Sequence, residues 1–165
     1  MTVPIRGKVV DVKGLRDFLL ESNRAGYAGG DEKTWTREGD RSWTITFEDG
    51  AWKSHDNFFG GEPYGGRTVV FLAGIPVWML VYYGWVDESA DPAKLYAVLK
   101  NALKRMPTEA PYRGPGRYEE DPFVYANTWE GALERFSGRE EILEGSSLVY
   151  RADYAGGWVD KGEAV

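Results

Sequence analysis

Between Arg67 and Val86 the chain runs RTVVFLAGIPVWMLVYYGWV, and nearly every side chain in it is apolar or aromatic. Two strands turning at Ala73-Gly74 account for this run, and because polar and apolar residues do not alternate, both faces of the hairpin are expected to be covered. A two-residue turn pairs Val69 with Trp78 and Arg67 with Leu80 on one face, which Tyr82 extends, and Val70 with Val77 and Thr68 with Met79 on the other. Such a hairpin needs a protein large enough to wrap it. At 165 residues the chain suits one compact domain, 1–165, that buries most of its apolar surface without staples.

The neighbouring segment reads as a half-buried hairpin. Trp43, Ile45 and Phe47 alternate with Ser42, Thr44 and Thr46, the period of a strand with one apolar face. A turn at Asp49-Gly50 sets Phe47 opposite Trp52, Ile45 opposite Ser54 and Trp43 opposite Asp56. Ser54 and Asp56 then share the apolar face, and His55 and Asn57 lie on the other. Between the hairpins, Gly60-Gly61 and Gly65-Gly66 flank Glu62-Pro63-Tyr64, which presents Glu62 and Tyr64 at a rim.

Two helices are expected. Val12, Leu15, Phe18 and Leu19 recur at helical spacing between a cap at Asp11 and a stop at Gly26. A second helix spans Asp91 to Met106, with Asp91 capping, Pro92 in the first turn, Pro107 beyond the end, and a stripe of Leu95, Val98, Leu99, Ala102, Leu103 and Met106. Tyr27 to Asp40, YAGGDEKTWTREGD, reads as a loop long enough to suggest a role in binding. Further strands are expected near 117–119, 123–129, 135–143 and 148–154.

The second half resembles the first. Asn57 and Gly61 match Asn127 and Gly131 at an offset of 70; Gly66, Arg67, Val77, Tyr82 and Gly84 match Gly138, Arg139, Val149, Tyr154 and Gly156 at an offset of 72. The expected fold class is α+β: two helix-plus-four-strand repeats, 11–86 and 91–159, forming a curved, mainly antiparallel sheet that packs on two helices. The copies differ where Val69 becomes Glu141 and where Met79 and Val81 become Arg151 and Asp153, so the first copy is the drier.

The motifs YAGGDE (Tyr27 to Glu32), HDNFFGGEPYGGR (His55 to Arg67) and PVWMLVYYGWV (Pro76 to Val86) resemble a bacterial family of domains of unknown function. Its members occur alone or behind a helix-turn-helix domain in transcription regulators. The resemblance implies no catalytic residues or cofactor. Ser54 stands where that family would carry an aromatic before the histidine.

Charge and composition narrow the chemistry. Acidic residues outnumber basic ones by 26 to 20, and the basic residues are scattered, so nucleic acid is not an expected direct partner. There is no cysteine, hence no disulfide framework and no thiol nucleophile. No stretch approaches the roughly 20 apolar residues of a membrane span, and the N-terminus lacks a signal-like run, so a cytoplasmic protein is expected. His55 and Asp56 are adjacent on a strand and point to opposite faces, which prevents them from acting on each other. A single histidine without cysteine leaves only carboxylates to fill a metal shell, as at Asp31, Glu32 and Asp56, and no metal is expected.

The remaining signal is aromatic. Tyr27, Trp43, Trp52, Tyr64, Trp78, Tyr82, Tyr150 and Tyr154 are expected to line one concave face, with Asp56 and Glu141 supplying negative charge. Rings around a carboxylate suit an aromatic or organic-cation ligand. The leading expectation is a small-molecule sensor module. The alternatives are an enzyme using Asp56 or Glu141 as base with Tyr64 or Tyr82 as donor, and an interaction domain that buries its rings in a homodimer or against a regulator.

Overall fold

Asp11 ends one element and starts the next. In the computed structural model, which describes residues 1–162, β1 (Thr2–Ile5) and β2 (Lys8–Asp11) form a small separate hairpin. It turns at Arg6-Gly7, both at positive φ. The Asp11 side chain then accepts from the Lys13 and Gly14 amides and caps α1 (Val12–Ala25), whose Val12, Leu15, Phe18 and Leu19 are buried as the periodicity predicts. The hairpin itself was not expected, and its Ile5 and Val10 are fully buried.

The segment after α1 is mostly irregular, with a short 3₁₀ turn at Glu32–Thr34 and the two-residue β3 (Thr36–Arg37). The main sheet follows: β4 (Trp43–Asp49), β5 (Trp52–Gly60), β6 (Tyr64–Leu72) and β7 (Ile75–Val86), then α2 (Pro92–Leu103), then β8 (Arg117–Glu120), β9 (Phe123–Ala132), β10 (Arg135–Glu144) and β11 (Ser147–Trp158). Asp91 caps α2 through the Ala93 and Lys94 amides, and Met106 lies beyond the helix end. The nine strands are antiparallel in the order β3-β4-β5-β6-β7-β11-β10-β9-β8. The fold is therefore α+β, and each helix precedes a four-stranded meander. The meanders join at β7 and β11, where Tyr82 stands directly opposite Tyr154.

Two registers differ from expectation. The first hairpin turns one residue later, with Asp49 opposite Trp52, so Phe47 faces Ser54, Ile45 faces Asp56 and Trp43 faces Phe58. A slip of two positions keeps side chains on their faces, and Ser54 and Asp56 do point inward with Ile45. In the second hairpin Leu72 faces Ile75 as expected, but Val77 is an extra residue at a bulge. Beyond it Trp78 faces Val70, Leu80 faces Thr68 and Tyr82 faces Gly66, while Val69 with Met79 and Arg67 with Val81 turn to the other side.

The expectation that both faces of this hairpin are covered is corrected. Helices and loops cover only the inner face, and on the outer one Val81 is 44% and Tyr83 59% exposed. Outer apolar side chains are shielded by cross-strand neighbours instead: Val69, flanked by His55 and Met79, is only 6% exposed. The inner face carries two cores. One joins α1 and the β1-β2 hairpin to Val70, Trp78, Leu80 and Phe136; the other joins α2 to Tyr125, Ile142, Val149 and Tyr150. No helix among the described residues is long and apolar enough to cross a membrane.

Candidate functional site

The inner face is not filled everywhere. A cavity of about 270 Å³ lies where the far end of β5, the 27–40 segment and α2 approach one another. Its walls are rings: Tyr27 and Trp35 from the loop, Trp43 from β4, Phe58 from β5, Tyr64 and Tyr82 from β6 and β7, and Tyr96 from α2. Trp35 stacks on Tyr27 at 5.6 Å and meets Phe58 and Trp43 edge-on at 5.7 and 6.5 Å. Tyr64 can lie flat over β7 because residue 84 is glycine; a Cβ there would sit 2.8 Å from the Tyr64 ring. Tyr96 donates to the Gly61 carbonyl at 2.6 Å, which ties α2 to the rim.

Four charged residues line the same space, Glu32, Asp56, Lys100 and Arg113. Lys100 is paired with Glu32 at the mouth, its ammonium 5.0 Å from the Tyr27 ring centre and 5.7 Å from that of Trp35. Arg113 is paired with Glu140, which is fully buried. Glu140 also accepts from the Tyr125 and Tyr150 hydroxyls at 2.7 Å each, and Tyr150 in turn bonds Tyr64 at 2.5 Å. Burial alone would lower the Arg113 pKa, but Glu140 and the surrounding tyrosines outweigh it and raise it.

Asp56 is different. Its Oδ1 accepts from Tyr82 at 2.7 Å and from Thr68 at 3.2 Å, yet no cation lies within ion-pair distance among the described residues. Burial pushes its pKa up, against the pull of those two donors and of Arg113. Tyr82 and Tyr64 are likewise pushed up, chiefly by burial. The buried side-chain atoms without a hydrogen-bond partner are Arg16 Nε and Trp158 Nε1. Asp56 Oδ2 and Arg113 Nη1 likewise have no hydrogen-bond partner among the described residues but are not among those buried atoms, so each is reached from a cavity that its residue lines.

A second, smaller cavity of about 100 Å³ shares Tyr27, Asp56, Tyr82 and Arg113 and extends toward α1. Asp56 thus stands where the two meet.

Of the ten site residues expected from sequence, Tyr27, Trp43, Asp56, Tyr64 and Tyr82 line the main cavity. The other five do not. Trp52 stacks on Phe18 at 5.6 Å over α1. Trp78 is buried, donates to the Leu133 carbonyl at 3.0 Å and touches only the smaller cavity. Tyr150 and Tyr154 lie behind the wall, bonded to Glu140 and to Asn127. Glu141 is on the outer face, where Arg151 bridges it at 2.6 Å; the acid that points inward is its neighbour Glu140. Alternation carried that signal, since Phe136, Glu140 and Ile142 are the buried positions of β10.

Sequence reasoning also passed over Trp35, Phe58, Tyr96, Lys100 and Arg113. Phe58 is two residues from Asp56 on the same strand, and Tyr96 and Lys100 are one helical turn apart, so both spacings were readable. Arg113 had no local signal. Asp31 caps the 3₁₀ turn, and no cluster of three metal-ligating residues occurs among the described residues.

Residues 56–159, from Asp56 through the buried Glu140 to the end of the sheet, match DUF5680, a domain of unknown function. The chain belongs to the DUF5680 family. No curated protein and no solved structure matches it. In this DUF5680 member the matched region supplies Asp56, Phe58, Tyr64, Tyr82, Tyr96, Lys100 and Arg113, while Tyr27, Glu32, Trp35 and Trp43 come from the segment before it.

Proposed function

We propose that this protein is a small-molecule binding module, taking an aromatic or organic-cation ligand in the ring-walled cavity. The observation that carries this reading is a cavity of about 270 Å³ whose wall is aromatic and whose floor holds a carboxylate without an ionic partner. A carboxylate kept from water is costly unless it is used. The test is thermal melting of the purified protein with aromatic acids, lactams, nucleotides and organic cations. A ligand at 100 times its Kd adds about 2.7 kcal/mol, a clear rise in Tm. Trp43→Ala abolishes that rise while leaving the ligand-free protein folded. Silence across the panel counts against the reading.

A second reading is acid-base catalysis, favoured by one arrangement: the Asp56 carboxylate and the Tyr64 hydroxyl line the same cavity, and Tyr64 is backed by Tyr150 and Glu140. It requires turnover that Asp56→Asn removes. The same proposal extends to origin, with the units 11–86 and 91–159 as copies of one helix-plus-four-strand ancestor. Ladder position supports it: Asp56 opposite Thr68 and Asn127 opposite Glu140 are matching rungs, so the partner of Asn127 is Asp56 rather than Asn57.

A further inference from the structure

Within the cavity reading, the charge placement separates the two ligand classes. A ligand cation needs a free ring face, and the protein's own cations already occupy several. Lys100 lies over Tyr27 and Trp35, Arg113 over Tyr82 at 5.6 Å, and Arg37 over Trp43 at 4.9 Å. An added cation would meet Lys100 and Arg113, which line the cavity, at short range. The four charged residues lining the cavity, Glu32, Asp56, Lys100 and Arg113, also sum to no net charge.

Two polar ends remain open on side chains that line this cavity and its smaller neighbour. Asp56 Oδ2 is an acceptor, because Tyr82 and Thr68 both use Oδ1. Arg113 Nη1 is a donor, because Glu140 takes Nε and Nη2. Both residues lie against Tyr82. The complement of an acceptor beside a donor is a ligand edge with a donor beside an acceptor, and the ring walls demand that the edge belong to a flat system.

We propose that the cavity binds a neutral, planar heteroaromatic ring carrying a lactam-type N–H/C=O edge, the N–H facing Asp56 and the C=O facing Arg113. Rings such as Trp43 and Phe58 supply the stacking surface. The proposal rests on the cavity being a ligand site.

Four flat bicyclic probes of one size test it by isothermal titration: quinolin-2(1H)-one, its N-methyl derivative, 1-methylquinolinium and quinoline-2-carboxylate. The lactam is expected to bind at least about tenfold more tightly than each of the others, since blocking the N–H leaves a buried acceptor unpaired. Asp56→Asn, which places an N–H₂ donor where Oδ2 stood, weakens the lactam by a similar factor and leaves the N-methyl compound unchanged. Tighter binding of the quinolinium or the carboxylate overturns the proposal and leaves the cavity reading standing. Equal binding of the lactam and its N-methyl derivative does the same. Absence of binding by all four at millimolar concentration overturns the proposal, and the melting panel then decides whether the cavity reading falls with it.

Discussion

The two halves of the sheet turn one carboxylate each inward on matching rungs, and treat it in opposite ways. In the half built by β8–β11 the acid is Glu140, opposite Asn127, and both of its oxygens are engaged. Arg113 and the Tyr125 and Tyr150 hydroxyls satisfy Glu140, while Asn127 accepts from Tyr154 at 2.9 Å and donates to the Gly114 carbonyl at 2.9 Å. The connection from α2 fills the remaining space, with Tyr112 stacked on Phe136 at 3.9 Å and the Gly114 amide bonded to Tyr125. In the half built by β4–β7 the acid is Asp56, opposite Thr68; it has two hydroxyl donors, no ionic partner and a cavity in front of it. One half uses its buried charge to lock a connection to the sheet, and the other leaves its charge available. A fully satisfied polar network rigidifies, whereas a half-satisfied one marks the place where the fold has not been optimised for stability alone.

That contrast breaks most readily at Glu140. Truncation by Glu140→Ala leaves Arg113 buried without its carboxylate, and the expected loss is about 3–5 kcal/mol in urea unfolding. Asp56→Ala, which strands only two hydroxyls beside an open cavity, should cost no more than about 1 kcal/mol. Equal losses would mean that the two acids play the same structural part. Next in size is Asn127→Asp, which gives the locked half the acid of the open one. It loses the donor to the Gly114 carbonyl and sets a carboxylate against that oxygen, so a loss of about 1–3 kcal/mol at pH 7 is expected, shrinking as pH falls and the new acid regains a proton. A loss that does not vary with pH would show that the position tolerates charge.

How much of this was legible in the sequence follows the range of the interactions. Capping and periodicity are local, so both helices were readable from Asp11, Asp91, Pro92 and their apolar stripes. Strand faces were readable wherever polar and apolar residues alternate, which placed Asp56 inward despite a turn displaced by one residue. In β7 no alternation exists, and the bulge at Val77 could not be seen because every side chain around it is apolar. The first hairpin was missed for a different reason: two four-residue strands with a proline give little periodic signal. In the site, residues on regular elements were within reach, but Arg113 arrives from an irregular connection and acquires its role only by crossing to Glu140, 27 residues on in the chain. Such contacts are set by packing, and a single sequence does not display them.

The smallest expected effect has the opposite sign and sharpens the comparison most. Asp56→Asn gives the open half the residue of the locked one. Burial raises the Asp56 pKa in the native state above its unfolded value of about 3.9, so between those two values the folded protein holds more protons than the unfolded chain. The contribution of Asp56 to stability is therefore fully present below the unfolded value and is lost as pH climbs through the native one. Asparagine does not titrate, and it keeps an oxygen for Tyr82 and Thr68. The difference between variant and wild type should thus move in the variant's favour from pH 4 to pH 7, by on the order of 1 kcal/mol or less. Urea unfolding of both proteins at several pH values measures it, and the subtraction removes carboxylates common to the two. A difference that moves toward the wild type as pH rises would mean that Arg113 and the two hydroxyls hold Asp56 as a stabilised carboxylate. The open half would then carry a built charge site, and the distinction between the halves would reduce to the presence of the cavity.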